Sequence, residues 1–341
     1  MNQACTGAHP AAVEHLGRAR AAERSGRTGE ARHEYEAAVA VLAGSDDVRT
    51  LVDALRAKGN LHLHCGETEV AERLYSQSLA VAEVVDYAIG TSKALNCIAA
   101  IAQRRGSLDE AERRYREAAI AAERARDTRL CGMIQQNLGI VASVRGDREA
   151  AFEAYRRSLR AFEATGDEEA ASWVWNNIGR LHGELGEWDD AERAFGEAEN
   201  LAAGRGDTLV SSVVERNRGE SFLARGRLAD ATTACERALD LAELRGDGLR
   251  RAEALKLRAR IERERGDHHA AIATLSEACE LAKHAEDEVL GAELLCELGE
   301  LWRKLGDRGV AGAVWSEALA AFTRVGARRA ADDTSARIAS P

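Results

Sequence analysis

Proline is almost missing from this 341-residue chain: Pro10 and Pro341 are the only two, one near each end. Proline inside a helix removes a backbone hydrogen bond and clashes with the preceding turn, so its absence in between agrees with uninterrupted helices. Aromatic residues are only 4% of the chain, while alanine and leucine are abundant, a balance that suits tight helix packing. Lysine stands only at Lys58, Lys93, Lys256, Lys283 and Lys304; arginine supplies the other basic residues, a bias of GC-rich bacterial genomes. No apolar run approaches the roughly 18 residues of a membrane span, and Met1–His9 has neither the basic region nor the apolar core of a signal peptide. A cytoplasmic chain with no membrane partner is expected. The formal charge of −10 disfavours nonspecific nucleic-acid binding, which needs a basic face to release phosphate counterions. The seven cysteines are scattered and form no CxxC pair, so they read as reduced thiols packed as small hydrophobes.

What the chain does have is a forty-residue period. Glycine recurs at Gly26, Gly66, Gly106, Gly146, Gly186, Gly226, Gly266 and Gly306. Five residues after each stands alanine, from Ala31 to Ala311. Nine after each stands a bulky or apolar residue: Tyr35, Tyr75, Tyr115, Tyr155, Phe195, Cys235, Leu275 and Trp315. Seven before each stands a small one: Ala19, Gly59, Ala99, Gly139, Gly179, Gly219, Ala259 and Gly299. Eight copies in one register describe an array of a single supersecondary unit, which works by its surface more often than by a catalytic pocket.

The fifth copy shows the unit. Asp167 is a good N-cap, and Glu168 and Glu169 suit the positive end of a helix. Val174, Ile178 and Leu181 follow at helical spacing. Gly186 ends this helix in the left-handed conformation that glycine favours, and a second helix places Ala191, Ala194, Phe195 and Ala198 on one face. Aspartate recurs in the cap role at Asp47, Asp127, Asp207, Asp247 and Asp287; one copy departs, with Tyr87 there and Asp86 beside it. The small residues let the two helices approach, and the large one fills the space between neighbouring pairs. No single pair buries this face alone, so the copies must stack.

Leu138-Gly139, Gly146, Ala151 and Tyr155 in the fourth copy, and Trp175, Ile178-Gly179, Gly186, Ala191 and Phe195 in the fifth, resemble the tetratricopeptide repeat pattern. The longer interval and the lack of a helix-ending proline resemble the branch found in kinesin light chains and bacterial regulator sensors. The resemblance implies an all-α fold, a right-handed α-solenoid of about eight helix pairs over residues 10–325. A disordered stretch at 1–9 and a capping helix and tail at 326–341 would flank it, the helix near Arg328–Ile338. It also implies that the first helix of each pair lines a concave groove, and that the chain is a non-enzymatic scaffold for a protein or peptide segment. An alternative is a regulatory sensor acting through a partner regulator.

No phosphate-loop, zinc-protease, nucleophile-elbow or calcium-loop motif is present, and no cofactor or metal is expected. His62, His64 and Cys65 lie close in sequence but do not share one helix face, and His268-His269 reads as exposed. Binding residues are sought instead at first-helix positions that packing does not dictate. Nine before the turn, Asn137, Asn177 and Asn217 follow one another in copies four to six, with Gln136 and Asn176 adjoining. An amide both donates and accepts, so such a ladder suits the backbone of an extended peptide. It equally suits a brace between neighbouring helices. Thirteen before the turn stand Met133 and Trp173; a tryptophan there is a typical hot spot or packs on the next pair. Arg180 and Arg216 add positive charge to the same face.

Overall fold

The structure, a computed structural model, describes residues 9–339, all of whose regular elements are α-helices. Two compact units divide at the turn of the fourth copy, Met1–Gly146 and Asp147–Pro341. The first holds α1 (Pro10–Arg24), α2 (Thr28–Ala43), α3 (Val48–His64), α4 (Thr68–Val84), α5 (Ala88–Arg104), α6 (Leu108–Arg124) and α7 (Thr128–Arg145). The second holds α8 (Arg148–Thr165), α9 (Glu168–Glu184), α10 (Trp188–Arg205), α11 (Thr208–Ala224) and α12 (Leu228–Arg245). It continues with α13 (Gly248–Arg265), α14 (His268–His284), α15 (Glu288–Lys304), α16 (Arg308–Val325) and α17 (Arg328–Ala339). Odd-numbered helices are the first, or A, helix of each copy, and even-numbered ones the second, or B. Within each unit consecutive helices pack on one another, so each unit is a solenoid of helix pairs.

The termini of the helices follow from their residues. All eight periodic glycines have φ between 69° and 89°, the left-handed region in which a side chain is strained. The bend lets the next residue reach back: after Gly186, Glu187 N–H donates to His182 O at 2.9 Å, and Ala191 N–H then donates to Glu187 O to open α10. The freed carbonyls of one helix and the first N–H groups of the next are thus satisfied within a few residues. The six expected aspartates all cap: Asp47, Asp127, Asp167, Asp207, Asp247 and Asp287 accept from N–H groups in the first turn of their helices. Between copies, the left-handed position falls on Gly166, Gly206, Gly246 and Gly326, but also on Asp86, Arg126 and Glu286 at φ 52–55°.

The core is a repeated contact of small against large. The residues nine after the turn are buried in all eight copies. A Cβ built on Gly59 would lie 2.5 Å from the Tyr75 ring, and one on Gly179 2.6 Å from Phe195, distances no real carbon pair adopts. The same holds for Gly299 against Trp315. In the sixth copy, where Cys235 replaces the ring, Leu257 from the next copy fills the space against Gly219. A second seam joins the same helices through hydroxyls: Ser92 Oγ donates to Ala118 O at 2.8 Å, Ser212 Oγ to Ala238 O at 3.1 Å, and in the reverse sense Ser78 Oγ to Val52 O at 2.8 Å.

At the far end α17 packs on α16, burying Thr334 and exposing Arg329, Asp332 and Asp333. Residues 1–8 of the expected disordered stretch lie outside the described residues, while His9 caps α1 and donates its N–H to Asp47 Oδ2 at 3.0 Å.

Two glycine substitutions separate crowding from helix propensity. Gly196 lies within α10 and a Cβ there would meet nothing within 4 Å, so Gly196→Ala is expected to stabilise by about 0.5–1 kcal/mol. Gly179→Ala is expected to destabilise by about 1–3 kcal/mol through overpacking against Phe195. Urea denaturation of the two variants, with unchanged m-values, checks both signs.

Candidate functional site

The A helices present their off-consensus residues to one another across successive copies, and these residues meet in a fixed register. Asn137 Nδ2 donates to Asn96 Oδ1 at 2.9 Å, joining α7 to α5 in the first unit. In the second unit, Asn217 Nδ2 donates to Asn176 Oδ1 at 2.8 Å, joining α11 to α9. Both pairs are 41 residues apart. The side chain nine before one turn meets the side chain ten before the previous turn, not its own counterpart. Asn177 is therefore not the partner of Asn217; Asn176 is, and the pair is buried at 4% and 6% exposure. Asn96 is the residue that a search nine before each turn misses, because it stands ten before its turn, as Asn176 does, and Cys97 holds the searched position.

The remaining candidates are less enclosed. Gln136, Asn137 and Asn177 are half-buried, and the side chains of Gln136 and Asn177 make no hydrogen bond among the described residues. Trp173 is half-buried and packs with Trp175 against Ala191, Phe195, Val210 and Val214 of α10 and α11. Met133 is half-buried, with Arg129 Nη1 3.8 Å from its sulfur. Arg180 pairs with Glu184 one helical turn away at 3.4 Å. Arg216 reaches Glu253 of the next copy at 3.6 Å. The second unit thus contains Asn176, Asn177, Trp173, Arg180, Asn217 and Arg216; the first contains Met133, Gln136 and Asn137.

From the sixth copy onward the same face is ionic. Lys256 Nζ meets Glu293 at 2.6 Å, Arg260 pairs with Glu220, and Arg263 lies 4.0 Å from Glu297. Burial raises the pKa of Glu297, opposed by Lys256, Arg260 and Arg263. Glu215 stands in the core register of α11, where its carboxyl meets Arg218 at 2.5 Å; burial again raises its pKa. The thiols of buried Cys235 and half-buried Cys279 behave as apolar groups: desolvation pushes Cys235 up to about 12 and Cys279 up to about 11.

A second polar arrangement, unread in the sequence, sits at two turns. His182 Nδ1 lies 2.7 Å from Glu187 Oε2, and Arg148 of the preceding B helix pairs with the same carboxylate. His62, Glu67 and Arg32 repeat it in the second copy, with Arg32 Nη2 2.7 Å from Glu67 Oε1. His182 and then Arg148 hold the Glu187 carboxyl below the usual range; Arg32 and then His62 do the same for Glu67. Asp190 brings a third ligand-type oxygen to His182 and Glu187, all within 4.8 Å. Val70 takes its place in the second copy, so the histidine–glutamate pair forms there without a third ligand and acts as a clasp between copies.

A raised carboxyl makes stability depend on pH. The proton-bound form of Glu297 is favoured by folding, so its contribution is fully present below about 4.5 and is lost as pH rises through its higher native value. Glu297→Gln is expected to flatten the stability profile between about pH 4.5 and 7. Chemical denaturation across that range checks it; an unchanged slope would place the dependence on other groups.

The tetratricopeptide repeat model matches the chain over residues 90–164, 130–203 and 211–284, which together exceed half its length. No sequence relative was found among curated proteins. Among solved structures, a Rap protein complexed with Competence and Sporulation Factor superposes with a TM-score of 0.63 at 12% identity, covering 96% of each chain. The Rap conjugation gene regulator of plasmid pLS20, in complex with the Phr* peptide, gives 0.59 at 15% identity over 80% of this chain and 73% of its own. The apo form of the quorum sensor NprR from B. thuringiensis gives 0.56 at 10% identity, with 96% and 97% covered. At such identities the likeness is one of fold. Among the described residues no helix is long and apolar enough to cross a membrane. The sequence match carries the assignment: the chain belongs to the tetratricopeptide repeat family.

Proposed function

We propose that the helix-A face binds an extended peptide or protein segment, and that the chain is a non-enzymatic binding scaffold without affinity for nucleic acid or membrane. The observation that carries this reading holds in each unit by itself: half-buried amides stand on the A helices of both. Asn96 and Asn137 each use one hydrogen-bonding function on the other, and an asparagine amide has two donors and an acceptor oxygen with two lone pairs. Asn177 and Gln136 use none among the described residues. A half-buried amide with unused capacity suits a peptide backbone, whose N–H and C=O groups must be paired when water is removed. Within the second unit, Trp173 beside Asn177 would supply apolar area, and Arg180 and Arg216 a positive rim.

A second reading is that binding is a signal, and the chain a sensor subunit acting through a partner regulator. The quorum sensor NprR and the Phr*-bound conjugation regulator support it by their likeness in fold. Both readings require the same first event, a peptide on the helix-A face.

Selection of a random heptapeptide library on the purified full chain, followed by calorimetry on a selected peptide, tests that event. Trp173→Ala is expected to weaken binding by about 2 kcal/mol or more, and Asn177→Ala by about 0.5–1.5 kcal/mol with the fold unchanged by circular dichroism. Asn217→Ala leaves Asn176 Oδ1 buried without its donor, so it is expected to cost about 1–3 kcal/mol of stability. Selected peptides whose affinity ignores both Trp173 and Asn177 would move the site off this face.

A further inference from the structure

Among the described residues, one place gathers three side chains of metal-ligand type. His182, Glu187 and Asp190 each offer a donor atom within 4.8 Å of the other two. All three belong to the second unit, at the turn between α9 and α10. His182 stands in the last turn of α9, Glu187 is the N-cap of α10, and Asp190 lies in its first turn. The left-handed bend at Gly186 brings them together, because it carries the Glu187 N–H back to His182 O at 2.9 Å.

Two differences separate this turn from the clasp of the second copy. There Arg32 takes both oxygens of Glu67, with Nη1 3.2 Å from Oε2 and Nη2 2.7 Å from Oε1. Arg148 instead bonds to Oε1 of Glu187, and Oε2 is left to His182 Nδ1, 2.7 Å away. The second difference is the third side chain, Val70 in the second copy and Asp190 in the fifth. Asp190 is held as Glu187 is: Arg193 bonds to its Oδ1, and its Oδ2 has no hydrogen bond among the described residues. No other copy carries three donors at these positions. A clasp needs neither change, since His62 and Glu67 close without a third donor.

A carboxylate that binds a metal is itself held by hydrogen bonds from its surroundings, which fix its orientation. Arg148 and Arg193 do this for Glu187 and Asp190, one oxygen of each being engaged and the other left for a further partner. The Phe152 ring, 4.6 Å from the His182 ring, covers the imidazole on one side. The three side chains are half-buried, and Asp190 is the most exposed of them, so the cluster opens to solvent on its side. A proton between His182 and Glu187 leaves Asp190 unused, whereas a divalent cation engages all three and balances two carboxylates. We propose that His182, Glu187 and Asp190 bind a divalent transition-metal ion of the zinc class, with water completing its coordination. One imidazole nitrogen and two carboxylate oxygens match the ligand types of zinc and the three-ligand count of sites that keep an open position. The nitrogen donor disfavours calcium and magnesium, which take oxygen. On binding, the ion replaces the proton between Nδ1 and Oε2, which passes to Nε2 or to solvent. The ion ties the end of α9 to the start of α10, and the site stands independently of peptide binding.

Calorimetric titration of the untagged, chelator-treated full chain with zinc ions alone tests the site. A single ion per chain is expected to bind at micromolar concentration and to raise the melting temperature, because it binds the folded turn. Asp190→Val copies the second copy, and Asp190→Asn keeps the size of the side chain. Both are expected to weaken zinc binding at least about 10-fold, with helicity unchanged by circular dichroism. Glu67→Gln, in the clasp that lacks a third donor, is expected to leave zinc binding unchanged. Cobalt(II) in place of zinc is expected to give visible absorption bands that Asp190→Asn abolishes. Absence of saturable binding below millimolar zinc would overturn the site. Binding that survives both Asp190 variants, or that Glu67→Gln removes, would also overturn it, since the ion would then sit on other residues. Displacement of zinc by an equal concentration of calcium would overturn the assignment to a transition metal.

Discussion

The distance between the two helices of a pair is set by one contact, and the rest of each unit inherits it. Seven residues before the turn there is room for a hydrogen or a methyl group, and the residue nine after the turn occupies the remainder. Gly179 against Phe195 and Gly59 against Tyr75 leave no space for a Cβ. Within each unit the contact recurs with the same period and holds the A and B helices of a pair close together. Successive A helices are then offset by a constant step, which is why polar partners are found 41 residues apart in the amide rungs and 37 apart at Lys256 and Glu293. The core contact thus decides which surface side chains can meet.

That constant offset ties stability to recognition. An amide rung such as Asn176–Asn217 is buried and braces α9 against α11. The same residue type, less enclosed at Asn177, has donors and acceptors to spare. The bracing bond is thus made at Asn176 and Asn217, while the neighbouring Asn177 keeps amide groups that no described residue uses. Trp173 shows a similar division, since part of its ring packs on the α10–α11 cluster and part remains exposed. A side chain anchored in this way loses little further rotamer freedom on binding, which favours it as a contact point.

The helix-pair architecture was legible because it depends on local chemistry. Glycine in a left-handed turn, aspartate at an N-cap and apolar residues at helical spacing act within a few residues of one another, and the period of forty repeats the glycine eight times and the aspartate cap six. Gly186 with Glu187 and His182, or Asp167 with Ala170, needs no information from elsewhere in the chain. The partners of the site residues were not legible in the same way. Alignment by repeat position places Asn177 beside Asn217, whereas the stagger between A helices brings in Asn176. The clasp of His182 and Glu187 by Arg148 was equally hidden, since its arginine comes from a different position in the preceding copy than Arg32 does in the earlier one. A one-dimensional period records which positions are equivalent; it does not record the step that sets one equivalent position against another.

A repeat scaffold acquires individuality where one rung departs from its fellows. Each copy keeps its glycine and its alanine, and the space nine after the turn is filled in all, by Leu257 of the next copy where Cys235 replaces the large residue, so variation falls mainly on the faces that packing leaves open. In the second unit the charges on the helix-A face are closed by neighbours, Arg216 by Glu253, Lys256 by Glu293 and Arg260 by Glu220. A closed pair offers an incoming group little, because its ligand must first compete with an intramolecular partner already in place. In the first unit Arg56 meets Asp53 of its own helix at 3.6 Å, Lys93 has no ion pair among the described residues, and Asn96 and Asn137 remain half exposed. The face is thus divided between charges closed by a neighbouring copy and groups that are not, a distinction carried by single residues on an otherwise uniform frame.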